Sequence, residues 1–451
     1  MNVNVRTFAF NHCPSLLKPT LNGIAWSPLR LRLAKGVFWS IAGTIISRGL
    51  TLFATIAIAR FLGRSSYGEL GIVQSTVGML GVFAGMGLGL TSTKYVAEFR
   101  CRAPQRAGQI IGLSSVVAMT TGGLASLGLY AFAPWFAERA INAPHLADVL
   151  RVAALLPLFS AMNGAQTGAL AGFEAFKSIA RVNVATGLAS FPILIGGAYF
   201  GGLTGAVWAV ALSLATNCLL NHLALRRQAA RSGVPLTLRG CQRELPALWR
   251  FSLPAVLAGS MTGPVNWLCA ALLVNRPGGY DEMAILNASN QWFLLVLFLP
   301  TVLASVILPM LSDQVGHTGA RESIRVLVFA VKVNLIIVAP VIAIACVASP
   351  QIMSLYGEDF QSGWATLLIV LLTAGILAVQ TPLAQIIVAS GRMWSVVAMN
   401  AGWALVFVAG TVWLIDYGSL GLVCARGIAY AVYSVLVFGT VFCLLRAKES
   451  A

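Results

Sequence analysis

The sequence predicts an all-α polytopic membrane protein whose twelve transmembrane helices form two six-helix lobes. Three observations carry this prediction. Of 451 residues, 58% are hydrophobic and only 10% are charged, whereas soluble domains carry roughly 25% charged residues; mean hydropathy is +0.83. Apolar runs of the ~20 residues that cross a bilayer recur along almost the whole chain. Finally, the octet Tyr67-Gly68-Glu69-Leu70-Gly71-Ile72-Val73-Gln74 returns in kind, except at Gly68/Asp281, as Tyr280-Asp281-Glu282-Met283-Ala284-Ile285-Leu286-Asn287, at equivalent points of the two halves. An internal repeat of this sort marks a duplicated architecture. Because each half has an even number of spans, the two are related by an axis along the membrane normal.

The expected spans are 37–59, 70–92, 108–131, 149–170, 181–200, 203–225, 251–274, 284–311, 325–347, 363–389, 394–415 and 419–445. Between the sixth and seventh lies the single long polar stretch, 226–250. The domain reading follows: a cytoplasmic leader 1–34, an N-lobe 35–225, a cytoplasmic connection 226–250, a C-lobe 251–446 and a cytoplasmic tail 447–451. Residues 1–34 hold basic residues but no apolar core or cleavage site, so they do not read as a signal peptide. Orientation rests on the positive-inside rule. With the N-terminus inside, cytoplasmic segments collect Lys94, Arg100, Arg102, Arg106, Lys177, Arg181 and the whole run Arg226, Arg227, Arg231, Arg239, Arg243 and Arg250. The opposite side has Arg60, Arg64, Arg139, Arg151 and Arg276. Both termini are therefore expected in the cytoplasm.

The same distribution explains the formal charge of +16, from 30 basic and 14 acidic residues. It orients the spans and does not form a nucleic-acid surface. The eight cysteines include no CxxC pair, which removes the usual metal and disulfide frameworks. No phosphate-cradling loop, HExxH or catalytic extracytoplasmic domain is legible. The expectation is no cofactor, no metal and no enzyme.

Function must then lie in polar residues inside spans. Arg48 stands at the centre of the first, where an arginine costs roughly 2.5–3.5 kcal/mol on insertion scales. Ser40, Thr44, Arg48, Thr51 and Thr55 follow helical spacing and form one polar stripe. Such a stripe faces protein or a wet cavity; packing of Arg48 against backbone carbonyls is the alternative. In the last span Arg426 is followed by Tyr430 and Tyr433 on one face, a lining suited to phosphates and sugars or an arginine snorkelling outward. Asn163, Asn287 and Gln291 add neutral hydrogen-bonding groups, which interhelical packing also uses. Gly81, Gly85 and Gly89 have the spacing that lets helices approach closely. No carboxylate falls deep in any span. The expected lumen is neutral to positive and suits an anionic solute.

Several stretches carry a family resemblance: Ala59-Arg60-Phe61-Leu62-Gly63 with Tyr67-Gly68-Glu69, Gly87-Leu88-Gly89-Leu90 into Lys94-Tyr95-Val96-Ala97-Glu98, Gly168 to Phe176, and the turn Gly201 to Ala206. Together they resemble the polysaccharide transporter family, the oligosaccharide flippases of the multidrug/oligosaccharidyl-lipid/polysaccharide exporter superfamily. The resemblance implies a MATE-like fold, two lobes in a V around a central cavity. It also implies flipping of an undecaprenyl-pyrophosphate-linked oligosaccharide for surface polysaccharide synthesis. The partners it implies are the lipid-linked oligosaccharide, membrane lipids, and polysaccharide polymerase and chain-length proteins. Arg48, Thr44, Thr51, Arg426, Tyr430, Tyr433, Asn163, Asn287 and Gln291 are the candidate cavity residues. A cation-coupled drug exporter and a membrane-embedded glycan polymerase are the competing readings.

Overall fold

The computed structural model describes residues 28–238, 240–245, 260–317, 320–389 and 393–449. Among these no strand occurs, and the chain is a succession of helices. α1 spans Pro28–Gly85, α2 Leu88–Phe99, α3 Pro104–Trp135, α4 Ala147–Ala153, α5 Leu156–Gly172 and α6 Phe176–Arg231. After the connection come α7 Thr262–Val274, α8 Gly279–His317, α9 Ala320–Val347, α10 Ser349–Ser354, α11 Trp364–Ala389, α12 Met393–Leu414 and α13 Gly418–Glu449.

The apolar stretch Gly43–Phe99 holds 57 residues. As one straight helix it would be about 85 Å long, far beyond the ~30 Å hydrocarbon core. Gly63 breaks it, with φ 74° and ψ 175°, so the first two spans fold back on each other. Gly202 breaks α6 with φ 55° and ψ −137°, and Gly418 opens α13 with nearly the same angles, φ 62° and ψ −139°. Only glycine adopts such backbone geometry cheaply. The matching pair shows that the fifth–sixth and eleventh–twelfth hairpins turn alike, a second mark of the duplication. With these breaks, the apolar segments follow in the expected order.

Some boundaries differ from expectation. The second span is interrupted at Met86 and Gly87, which both have positive φ (39° and 61°). The fourth is divided between α4 and α5 at Ala154–Leu155, just before Pro157 occupies the first turn of α5. The expected leader is already helical from Pro28, and residues 1–27 lie outside the described residues. Residues 226–231 continue α6 and do not belong to the loop. The connection beyond them lies along α3, where a β-carbon on Gly108 would fall 1.9 Å from the Pro235 carbonyl oxygen. Arg106 then grips Glu244 with two hydrogen bonds of 2.8 and 2.9 Å. Of the spaced glycines, Gly81 and Gly85 have open space around them, while Gly89 abuts Gly164 and Gly168 of α5.

Core burial differs between the two ends of the molecule. One large buried cluster crosses from lobe to lobe: Tyr67, Leu70, Ile72 and Ile141 of the first half join Met283, Tyr356, Phe360 and Leu367 of the second. At the opposite end, among the described residues, each lobe has clusters of its own. Val96, Ile111, Leu170 and Leu225 form one in the N-lobe, and Leu383, Ile387, Met399 and Val437 form one in the C-lobe. Among the described residues, the lobes share a core at one end and keep separate cores at the other.

Candidate functional site: the span arginines and the seal between lobes

The shared end is built from the two repeat octets. A β-carbon on Gly68 would lie 1.8 Å from the Tyr280 carbonyl oxygen, and one on Gly71 3.2 Å from the Asn287 Cβ. The octets therefore cross in direct backbone contact, each supplying equivalent side chains to the other lobe. Tyr67 is 1% exposed and packs its ring against Tyr356 and Phe360 of the C-lobe. Its counterpart Tyr280 donates to the Ile141 carbonyl of the N-lobe at 2.7 Å. Burial, and next the Glu69 carboxylate, push the Tyr280 phenol up to about 12, so it remains a donor.

Charges at this end are paired across the lobes. Arg64 donates to the carbonyls of Asp281 (3.2 Å) and Asp359 (2.9 Å) and to the Glu282 carboxylate (3.3 Å). The second oxygen of Glu282 accepts from the Ser419 backbone N–H at 2.8 Å. Arg60 reaches the Leu355 carbonyl at 2.6 Å. Glu69, the counterpart of Glu282, meets His145 at 2.8 Å within the N-lobe. Reading Arg60, Arg64 and Glu282 from sequence gave only topology; their role as a seal was missed. A glutamate at the third position of both repeat octets, Glu69 and Glu282, with an arginine shortly before each octet, Arg64 and Arg276, is the signal that could have revealed it.

The middle of the bilayer is different. Arg48 donates Nη1 to the Leu294 carbonyl across the lobes at 2.9 Å, and its guanidinium carbon lies 4.8 Å from the centroid of Phe298. It is half-buried and has no carboxylate partner among the described residues. The carbonyl contact expected of a packed arginine is present, yet it uses one of five N–H donors. The stripe around it is tempered: Thr51 and Thr55 turn their hydroxyls to the Ser47 and Leu52 carbonyls of the same helix. Thr44 is half-buried, and the Ser40 side chain lies outside the described residues. Asn287 packs on Gly71 at the lobe seam, and Gln291 is half-buried one turn beyond it.

The other candidates face lobe interiors and not an open cavity. Arg426 is 5% exposed; its Nη1 donates to Asn290 Oδ1 at 2.8 Å. Tyr430 packs on Trp403, with centroids 5.4 Å apart, and Tyr433 lies against the C-lobe cluster of Leu383, Met399 and Val437. Asn163 donates to the Leu214 carbonyl at 3.1 Å and accepts from Asn221 at 3.4 Å. A neutral amide chain thus fills the N-lobe where the C-lobe holds a guanidinium. The structure brings Arg48, Asn287 and Gln291 to helices at the lobe seam and turns Arg426, Tyr430, Tyr433 and Asn163 inward. No cluster of three or more metal-ligating residues occurs among the described residues.

Residues 33–315 match the family described as polysaccharide biosynthesis protein. The chain belongs to that family. It is similar to the EPS I polysaccharide export inner membrane protein EpsE of Ralstonia nicotianae, 24% identical over 402 residues, covering 86% of this chain and 89% of that protein. It is also similar to the lipid III flippase of Escherichia coli, 24% identical over 261 residues, covering 56% of this chain and 61% of that one. A multidrug resistance MATE family transporter of the MOP superfamily, solved in an inward-facing conformation, superposes with a TM-score of 0.76 at 16% identity, over 92% of this chain and 99% of that one. The fold is MATE-like, as expected, and the protein is a multi-pass membrane protein among exporters and flippases of polysaccharide synthesis.

Proposed function

We propose that the protein flips a lipid-linked oligosaccharide, carried on undecaprenyl pyrophosphate, across the inner membrane by alternating access. The observation that carries this reading is Arg48: a cation at the lobe seam, in mid-membrane, in a chain with no carboxylate inside any span. A pyrophosphate offers the charge this position lacks, and its oxygens match the forked donors of a guanidinium. A cation exporter would need the opposite polarity. The relatives named for polysaccharide export and for lipid flipping support the same substrate class.

The mechanism follows from the two ends. By the positive-inside rule the sealed Tyr67 end faces the periplasm, so the divided end opens to the cytoplasm. The head group enters between the lobes, Arg48 offsets its charge, and Asn287 and Gln291 replace part of its hydration. The polyprenyl tail stays in lipid. Rocking of the lobes about their common axis parts the repeat octets and closes the other end. No covalent step takes place, so the protein acts as a transporter and not as an enzyme. In this reading 35–225 and 251–446 are the moving lobes and 226–250 their cytoplasmic link; polymerase and chain-length proteins act on the product outside.

The test is the leaflet in which lipid-linked oligosaccharide accumulates when the gene is deleted. Trapping on the cytoplasmic side, protected from periplasmic glycosidase, is the expected result. Accumulation of single repeat units on the periplasmic side would instead make the protein a polymerase. Drug resistance on overproduction with no glycan phenotype would make it a drug exporter. Orientation is checked separately: a membrane-impermeant thiol reagent should label Glu358→Cys and miss Arg231→Cys in intact cells.

A further inference from the structure

Arg426 carries a positive charge that no described residue neutralises. Its Nη1 is spent on Asn290, and Phe293 stacks beneath the guanidinium at 4.9 Å. Nε and Nη2 are both buried and have no hydrogen-bond partner among the described residues. An arginine does not shed its proton in proteins, so the charge stays. The sequence offers no counter-charge: C-lobe carboxylates stand at Asp281, Glu282, Asp313, Glu322, Glu358, Asp359, Asp416 and Glu449, all at or beyond span ends. Glu282 is committed to Arg64 and Ser419, and Asp416 lies 3.5 Å from Arg276.

A buried, unpaired cation costs several kcal/mol. Water would satisfy the two unpartnered nitrogens yet leave the net charge in a low-dielectric interior, where Coulombic terms are large. An anion does both. With the side chain 5% exposed, the site is too enclosed for a sugar pyrophosphate. No such buried guanidinium is described inside the N-lobe, where the buried amides Asn163, Gln166 and Asn221 are neutral.

We propose that Arg426 is the centre of a binding site for a small inorganic anion of chloride size, held by Nε–H and Nη2–H inside the C-lobe and distinct from the substrate path at Arg48. The ion completes the C-lobe's charge balance, and binding is independent of which glycan the protein carries.

Two measurements on the detergent-purified full chain test this. Thermal unfolding is followed in sodium chloride and in sodium gluconate at equal ionic strength, and radioactive chloride is titrated by equilibrium dialysis. Chloride should raise the melting temperature in proportion to the logarithm of its concentration, as a ligand of the folded state does, and bromide should substitute for it. One saturable ion should bind each chain. Arg48→Gln should leave both readouts unchanged. Asn290→Asp places a carboxylate where the Arg426 hydrogen bond already ends; it should fold, melt as high in gluconate as the parent does in chloride, and bind no ion. Arg426→Gln should likewise lose the chloride dependence, and Asn290→Asp decides the matter if that variant does not accumulate. Coincident chloride and gluconate curves with no bound ion in the parent would overturn the proposal. So would a chloride effect that survives in Asn290→Asp, or stabilisation by inorganic phosphate but not by chloride.

Discussion

The two ends of the molecule are built on opposite plans. At the Tyr67 end the lobes share an apolar core and, among the described residues, a cation–acid contact in which Arg64 and Glu282 tie the first turn of one repeat to the other. Toward the far end the cores are separate among the described residues, and Arg48, in the middle of its span, faces a carbonyl and an aromatic ring with no described acid. The difference assigns roles. Paired charges fix a contact that forms and parts, while an unpaired charge is free to meet a solute. An alternating transporter needs both, and needs the seal to be weak enough to break: two conformations whose free energies lie within a few kcal/mol of each other.

Removing the unpaired charge should have the largest effect. Arg48→Ala is expected to abolish export, with the protein still present in the membrane at normal amount, because the site loses the guanidinium that offsets the head-group charge. Arg48→Lys should restore part of it, since a lysine keeps the charge but not the forked geometry. Export in cells is read together with membrane protein quantity. Full export by Arg48→Ala, or loss of the folded protein, would reduce Arg48 to a packing residue.

Steric opening of the seal comes next. Gly68→Ala puts a methyl group 1.8 Å from the Tyr280 carbonyl oxygen, a distance that backbone cannot tolerate. Overpacking of this kind costs about 1–3 kcal/mol, enough to move a two-state equilibrium by about 5–150-fold toward the state open at that end. Thr76 is 1% exposed and bonded to Trp267 across the lobes, so it reports on the seam. In a cysteine-free background, Thr76→Cys should resist an impermeant maleimide from the periplasm and become labelled when Gly68→Ala is added. Unchanged labelling would mean that the octet contact does not govern opening.

How much of this was readable from sequence depends on the range of the forces involved. Span number, order and duplication follow from local hydropathy and repeat spacing, and they stand. The polar stripe at Arg48 follows from helical periodicity, and its arginine is indeed at the seam. What periodicity cannot give is which neighbour a face meets. Arg426, Tyr430 and Tyr433 share a helix face, but only packing shows that the face meets Asn290, Trp403 and Met399 inside the C-lobe. Arg60 and Arg64 looked like weak exceptions to the positive-inside rule, because their partners Leu355 and Asp359 lie 295 positions away. The octet was legible as a repeat, while the crossing of its two copies is a tertiary fact.

The electrostatic part of the seal should matter less than its steric part. Glu282→Gln removes the charge opposite Arg64, a pair at 3.3 Å whose side chains are 22% and 32% exposed. Hydrogen bonds to charged groups contribute about 1.5–3 kcal/mol when buried, and solvent at this exposure screens the pair toward the low end. Export should fall by about threefold, with modest labelling of Thr76→Cys. Arg64→Gln should do more, since it also weakens the contacts to the Asp281 and Asp359 carbonyls. An equal loss in both would show that the ion pair alone carries the latch.

The smallest effect is expected at the equivalent acid of the first repeat. Glu69 occupies the position of Glu282, yet its partner His145 is 61% exposed and belongs to the same lobe. An exposed pair contributes about 0–1 kcal/mol, and breaking it parts no contact between lobes. His145→Ala should therefore leave export and Thr76→Cys labelling close to the parent. The repeat makes this a stringent comparison, because symmetry alone would predict the same outcome for Glu69 and Glu282. Combining His145→Ala with Glu282→Gln should give additive effects, as for sites with no shared partner. Strong non-additivity would show instead that the two acids act as one latch, and that the seal is as symmetric in energy as it is in sequence.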